Sequence, residues 1–175
     1  MKNPGKQFED DFKKSIPDYC LAERLKDSAQ SFNQSKLTKF TWNNPCDFLC
    51  FDSIGRILYC LELKSTKSKY ITFDDINKPK SQDKMIKKHQ IESLQKFSLF
   101  DNVVSGFILN FRDEEHDMER TYFLDIKSFD MMRNKIRKFS FNELDLLTNN
   151  AVKIVGQKKR VHYNWDIDGF LNVKH

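Results

Sequence analysis

The sequence has no long apolar run, and this absence limits where the chain can reside. A helix that crosses a bilayer needs about 20 consecutive apolar residues, and no segment of the chain approaches that length. The N-terminal sequence MKNPGKQFEDDF also lacks the apolar core of a secretory signal. We therefore expect a cytoplasmic protein without a membrane segment.

The cysteines lack the spacing of a zinc ribbon or a dithiol redox site. None of the four forms a C-x-x-C pair, and each lies in an apolar or strand-like segment: Cys20, Cys46, Cys50 and Cys60. A cytoplasmic location keeps such thiols reduced. We expect them to be structural residues.

No internal repeat, low-complexity run or linker divides the sequence. A chain of 175 residues has the usual length of one domain, and 39% hydrophobic residues with 16 Phe are enough for a core. We predict a single domain over residues 1–175 with one active site. Within it, the polar segment 26–44 is a long loop or short hairpin.

The positive charge is modest in total but clustered along the chain. The formal net charge is +5, and many of the 30 Lys and Arg residues are grouped at 64–69, 78–88, 133–138 and 158–160. Such clusters suit a polyanion such as DNA, because each neutralised phosphate releases condensed counterions. A solvated lysine-rich surface gives the same composition, so charge alone leaves both interpretations open.

Apolar spacing predicts alternating helices and strands. Phe8, Phe12 and Ile16 have helical spacing that ends at Pro17, and a second helix is predicted from Met85 to Phe97. Strands are predicted at 18–25, 47–51, 56–66, 103–111 and 120–126, and further helices at 127–137 and 141–148. The order indicates an α/β fold with a mixed central sheet flanked by helices.

The most informative pattern is Pro45-Cys46-Asp47 followed by Glu62-Leu63-Lys64 across the predicted hairpin. Side chains alternate along a strand, so Glu62 and Lys64 project from the same face. If the hairpin register brings Asp47 near Glu62, the repulsion between the carboxylates favours a divalent cation such as Mg²⁺. The cation could activate a water for attack on a phosphodiester, while Lys64 offsets charge in the transition state.

The surroundings of Glu62 make this pattern more specific than its spacing. Glu and Lys alternate on many exposed strands, and such a strand needs no functional explanation. The residues before Glu62, however, are the apolar ILYCL. Charges that interrupt a core strand need a partner.

With PCD at 45–47 and ELK at 62–64, the chain resembles the PD-(D/E)xK nuclease superfamily, and within it the RecU-type Holliday junction resolvases, including phage-borne relatives. The likeness covers most of the chain. It includes GKQFEDDF at 5–12, DFLCFDSIGRILYCLELKSTKSK at 47–69, KKHQIESL at 87–94 and TYFLDIKSF at 121–129, and it continues more weakly through 158–163. The resemblance implies a restriction-endonuclease-like core.

The resemblance also implies roles for individual residues. Asp47, Glu62 and Gln90 would bind Mg²⁺, with Mn²⁺ able to substitute, and Lys64 would be catalytic. Glu9 matches an acidic position on the first helix that such nucleases place near the metal. A helix-surface or capping role for Gln90, and a favourable first-turn position for the Glu9 carboxylate, are the alternatives.

Several basic residues are candidate DNA contacts, and two features depart from the resemblance. The candidates are Lys36, Lys39, Lys67, Lys69, Lys88, His89 and Arg160. Pro45 stands where RecU proteins tend to have Thr, which puts one metal ligand in doubt. Segment 26–44 is shorter than the family's projecting stalk, although its aromatic and basic residues could contact unstacked bases; ordinary loop packing is the alternative.

The sequence therefore predicts a Mg²⁺-dependent, structure-selective DNA endonuclease that makes paired nicks in four-way junctions. A two-fold substrate suits a homodimer with two identical sites. Two alternatives stay open: a nicking or repair nuclease of the same superfamily without junction preference, and a DNA-binding recombination accessory protein without catalysis.

Overall fold

A computed structural model describes residues 3–25, 44–78 and 83–172 of the chain. They form a mixed α/β fold whose centre is a six-stranded sheet in the order β1-β2-β3-β5-β6-β8. The strands of this sheet are β1 Cys20–Arg24, β2 Phe48–Asp52, β3 Ile57–Thr66, β5 Val103–Asp113, β6 Met118–Asp125 and β8 Val152–Ile154. Two small two-stranded sheets pair β4 Ile71–Thr72 with β7 Ser140–Phe141, and β9 Gly156–Lys159 with β10 His162–Trp165.

Strand direction in the central sheet is mixed. The pairs β1–β2 and β2–β3 are antiparallel, β3 and β5 are parallel, and β6 is antiparallel to both β5 and β8. The helices are α1 Pro4–Lys14, α2 Lys88–Phe97, α3 Ile126–Ile136, α4 Glu143–Leu147 and α5 Ile167–Leu171. Because β3 and β5 are parallel, their carboxyl ends lie at the same edge of the sheet. The segment that connects the two strands contains α2.

Successive side chains of β3 point to opposite faces of the sheet and belong to two separate core layers. Tyr59, Leu61 and Leu63 belong to a cluster with apolar residues of α1 and α5, whereas Cys60 belongs to the cluster that contains residues of α2 and α3. Neighbouring residues of a strand point to opposite faces, so helices cover both faces of the sheet. The predicted mixed sheet flanked by helices is confirmed.

The first helix and the β2–β3 hairpin follow the sequence prediction closely. Asn3 caps α1 by accepting a hydrogen bond from the Gly5 backbone N–H at 3.0 Å, and Pro4 starts the helix without an orphan N–H. The first turn of α1 contains no acidic residue, however, because Glu9 lies one turn further along. The alternative explanation of Glu9 as a first-turn carboxylate is therefore wrong.

The predicted start of the second helix is also wrong. Helix α2 begins at Lys88, three residues after Met85. Ile86 instead forms a parallel bridge with Phe73, and its N–H donates to the Thr72 carbonyl at 2.9 Å. Its apolar side chain is fully buried in this extended conformation, which is why the apolar spacing resembled that of a helix.

Other features agree with the prediction or lie beyond the described residues. All four cysteines are free thiols, and none of the described helices has the length and apolar character needed to cross a bilayer. Residues 26–43, which contain Lys36 and Lys39 and nearly all of the predicted loop, lie outside the described residues.

Candidate active site

Asp47 and Glu62 meet at the start of the β2–β3 hairpin. In the antiparallel register Phe48 pairs with Leu61, so Asp47, the residue before β2, comes opposite Glu62. Asp47 Oδ2 accepts a hydrogen bond from the Leu63 N–H at 2.8 Å. The Asp47 carboxyl group is close enough to Glu62 to raise the pKa of Glu62.

The ammonium group of Lys64 lies beside this pair. Its Nζ is 2.7 Å from Glu62 Oε1, as expected for residues two apart on one face of a strand. The Glu62 side chain is only 4% exposed and that of Lys64 is 16% exposed. This is a desolvated ion pair, unlike the exposed Glu–Lys pairs that contribute little.

Burial raises the pKa of Glu62 to about 7. The Lys64 ammonium lowers that pKa and the Asp47 carboxylate raises it, so desolvation and like charge together outweigh the attraction of the cation. Without a further positive charge, Glu62 therefore holds a proton for much of the time near neutral pH. A divalent cation would replace that proton and relieve the repulsion.

Gln90, in the first turn of α2, also reaches Glu62. Its Nε2 donates to Glu62 Oε1, and its Oε1 accepts from the Lys87 backbone N–H at 2.9 Å. The amide oxygen, which the resemblance assigns to the metal, therefore caps α2, and the amide nitrogen faces the acid. Rotation of the amide by half a turn would exchange the two groups.

Glu9 lies near Asp47, but its carboxylate is paired with an arginine. Its carboxylate forms an ion pair with Arg24 of β1. Burial raises the pKa of Glu9, the Arg24 guanidinium opposes this, and the Asp47 carboxylate adds to it. The structure thus places Glu9 in the electrostatic environment of Asp47, and Arg24 neutralises part of the negative charge there.

The donor set suits a hard cation with few protein ligands. The hydrogen bonds described above use Asp47 Oδ2 and Glu62 Oε1, and the second oxygen of each carboxyl group could accept a cation. Within residues 3–25, 44–78 and 83–172, no cluster of three or more His, Cys, Asp or Glu side chains could hold a metal. Mg²⁺ typically takes one or two carboxylates and completes its shell with water or phosphate, and the Asp47–Glu62 pair fits that requirement.

Three of the predicted DNA contacts line two neighbouring clefts. Lys67 and Lys69 are exposed after the end of β3 and line a cleft of about 460 Å³. Arg160, at the tip of the β9–β10 hairpin, lines a second cleft of about 350 Å³. Both clefts include Arg112 of β5.

The other predicted DNA contacts are placed differently. The Lys88 ammonium donates to the Ile76 carbonyl at 2.5 Å and lies 3.8 Å from Glu92, so internal contacts engage it. His89 is exposed in the first turn of α2. Lys36 and Lys39 lie outside the described part of the chain.

Two residues around the site were not predicted from the sequence. Arg24 pairs with Glu9, and Asp74 Oδ2 accepts a hydrogen bond from the Lys88 N–H at 2.9 Å at the start of α2. Both contacts join segments that are distant in sequence. The only available signal was charge: an isolated Arg at the end of a predicted strand, and an acid before a lysine-rich loop.

Comparison with known proteins identifies a relative from a prophage. No family model matches the chain. The chain is similar to the SPbeta prophage-derived uncharacterized protein YotM of Bacillus subtilis (strain 168), with 30% identity over 176 residues. The match covers 93% of this chain and 82% of that relative. At this identity and coverage, the chain belongs to the same family as this prophage-derived protein.

Proposed function

We propose that the chain is a Mg²⁺-dependent DNA endonuclease of the RecU type that makes paired nicks in four-way junctions. The observation that carries the proposal is the meeting of Asp47 and Glu62 from neighbouring segments of the hairpin, with Lys64 Nζ 2.7 Å from Glu62. Two carboxylates and one ammonium supply the oxygen ligands and the positive charge that metal-assisted phosphodiester hydrolysis uses.

Each residue contributes a distinct physical effect in this proposal. Asp47 and Glu62 provide carboxylate oxygens, and the Leu63 N–H fixes the orientation of Asp47. Lys64 offsets negative charge that develops on the phosphate. A bound Mg²⁺ would polarise a phosphate oxygen and lower the pKa of water.

Two further observations support the nuclease assignment. A mixed sheet flanked by helices agrees with the restriction-endonuclease-like core that the resemblance implies. The name of the relative places it in a prophage, and the resemblance includes phage-borne resolvases. Paired nicks in a two-fold junction require two symmetric sites, so the proposal includes a homodimer.

One observation favours a second function, a DNA-binding recombination accessory protein without catalysis. The Gln90 amide oxygen faces Lys87 and its nitrogen faces Glu62, and Pro45 has no hydroxyl to contribute. A site with fewer ligands could bind DNA without cutting it. The clefts beside Lys67 and Arg160 are compatible with either function.

Cleavage of a labelled four-way junction in Mg²⁺ tests the proposal. We expect nicking by the wild-type chain, no detectable nicking by Asp47→Ala, and a rate lower by about 100-fold or more for Lys64→Ala, because transition-state charge is no longer offset. Junction binding should survive both substitutions. Asp18→Ala, which removes an exposed acid remote in sequence, is the control and should cleave normally.

The outcomes separate the three hypotheses. Activity that persists in Asp47→Ala would exclude the proposed catalytic site. Binding without any metal-dependent nicking by the wild-type chain would favour the accessory protein. Equal cleavage rates on four-way junctions, flaps and linear duplex at matched salt would favour a nuclease without junction preference.

A further inference from the structure

The side-chain amide of Gln90 contacts a different group at each of its two ends. Its Nε2 donates a hydrogen bond to Glu62 Oε1, and its Oε1 accepts one from the Lys87 backbone N–H at 2.9 Å. An amide nitrogen only donates and an amide oxygen only accepts. Both contacts therefore fix the same orientation of the amide, with the nitrogen toward the acid and the oxygen toward the start of α2.

The contact with Lys87 belongs to the start of α2. Lys87 is the N-cap of this helix, and Gln90 is its third residue. The first N–H groups of a helix have no acceptor within the helix, and a Gln at the third position can reach back to the N-cap N–H. The Gln90 oxygen is therefore already used by a backbone group that needs it.

Rotation of the Gln90 amide by half a turn would remove both contacts. The amide oxygen would then face Glu62 Oε1, so that two acceptors oppose each other. The amide nitrogen would face the Lys87 N–H, so that two donors oppose each other. Polar groups that lose their partners away from water are costly, and the observed orientation is therefore favoured at both ends of the amide.

The Gln90 nitrogen shares its acceptor with the Lys64 ammonium group. Gln90 Nε2 reaches Glu62 Oε1 from α2, and Lys64 Nζ reaches the same oxygen from β3. The Glu62 side chain is only 4% exposed, so two donors from separate elements hold a desolvated carboxyl group. Because both donors use Oε1, the orientation that they fix is one in which Oε2 could accept a cation.

We infer that Gln90 is a positioning residue that orients the Glu62 carboxylate through its amide nitrogen, and that its oxygen is not a metal ligand. This inference rests on the proposed function, because it concerns the cation that Asp47 and Glu62 would bind. It differs from the metal-binding role that the resemblance implies for Gln90. The cation would take its protein ligands from the two acids and complete its shell with water or phosphate.

Exchange of the Lys87 amide proton with water, measured by NMR on the wild-type chain, tests the inference without any cleavage. If the Gln90 oxygen moved to the metal, the Lys87 N–H would lose its acceptor, and its exchange would become faster by about tenfold on addition of Mg²⁺. We expect the exchange rate with saturating Mg²⁺ to stay within about twofold of the rate in EDTA.

Mn²⁺ binding by two variants of α2 tests the positioning role. Gln90→Ala should weaken Mn²⁺ binding about tenfold, because Glu62 loses a donor that orients it. The number of waters on the bound Mn²⁺, measured by water-proton relaxation, should equal that of the wild-type chain. Gln95→Ala is the matched control and should bind Mn²⁺ like wild type, because Gln95 donates to a different acid, Asp130, at 2.7 Å.

The outcomes separate this inference from the proposed function. Faster exchange at Lys87 in Mg²⁺, one additional water on the Mn²⁺ of Gln90→Ala, or unchanged Mn²⁺ affinity in that variant would overturn the inference and leave the proposed function in place. If melting curves show that Gln90→Ala does not fold, the exchange measurement on the wild-type chain decides. A wild-type chain that binds neither cation would contradict the proposed function and this inference together.

Discussion

Glu62 is the residue at which burial and charge conflict most strongly. Its Oε1 accepts hydrogen bonds from Lys64 and Gln90, yet its side chain is 4% exposed and close to Asp47. Burial of a carboxylate is costly unless charge and hydrogen bonds compensate. Because the pKa of Glu62 is raised to about 7, the contacts with Lys64 and Gln90 offset only part of the free-energy cost of burying the charged carboxylate.

This conflict predicts how stability depends on pH. The pKa of Glu62 is about 7 in the folded chain against a reference of 4.5, so the folded state retains the proton over that interval and the unfolded state releases it. Glu62 therefore contributes stability below about pH 4.5, and this contribution is lost as the pH rises through about 7. In metal-free buffer, the difference in unfolding free energy between Glu62→Gln and wild type should shift in favour of Glu62→Gln by roughly 3 kcal/mol from pH 4.5 to pH 8.

Urea unfolding at a series of pH values measures this difference. The comparison between pH values matters more than the absolute stability, because the substitution also deprives Lys64 of its partner. If the unfolding free energies of the two chains changed in parallel with pH, Glu62 would have its ordinary pKa and would not be desolvated as described.

At the residue scale, the sequence predicts the pairing but not the detailed contacts. The alternation of β3 placed Lys64 beside Glu62, and the hairpin register placed Asp47 opposite. The orientation of Gln90 depends on where α2 begins, and the Glu9–Arg24 pair depends on how α1 packs against β1. Both are determined by packing between distant segments, which periodicity does not report.

At the scale of elements, the start of α2 determines where Gln90 reaches the site. The Met85 N–H donates to Thr72 Oγ1 at 3.1 Å, and the Lys88 N–H donates to Asp74 Oδ2 at 2.9 Å. Asp74 is 2% exposed, and the Lys88 N–H that it accepts is one of the helix N-terminal N–H groups that have no partner within the helix. This acid from outside the helix performs the capping role that a local Ser or Asp usually has.

We therefore expect Asp74→Ala to destabilise the start of α2. Loss of the cap should lower the unfolding free energy by about 1–2 kcal/mol and speed hydrogen exchange at Lys88 and Gln90. Asp75→Ala is the matched control, because the contacts of Asp75 in the described part of the chain are local ones, with the Asn77 N–H and the exposed Lys78. Similar exchange rates in the two variants would show that Asp74 does not hold α2.

The elements with long, regular patterns could be predicted, and the short ones could not. The hairpin of β2 and β3, the strands β5 and β6, and α3 occur close to their predicted positions because each has a clear apolar periodicity. The two-residue strands β4 and β7 are defined only by their pairing with each other. The C-terminal elements β8 to β10 and α5 are likewise too short for a periodic signal.

At the scale of the whole molecule, the sheet order brings three of the predicted DNA contacts to two adjoining clefts. Parallel pairing of β3 and β5 brings the ends of both strands together, so Lys67 and Lys69 after β3 lie in the same cleft as Arg112 of β5. The β9–β10 hairpin adds Arg160 on the other side of Arg112. These residues come from sequence positions 67 to 160, and only the topology makes them neighbours.

The central claim is that Asp47 and Glu62 share a divalent cation, and Mn²⁺ binding tests it most directly. The electron paramagnetic resonance signal of free Mn²⁺ reports how much metal each chain removes from solution at pH 8. We expect the wild-type chain to bind one ion more than either Asp47→Asn or Glu62→Gln, with Asp18→Asn binding like wild type. Equal Mn²⁺ binding by wild type and the two site variants would contradict the account.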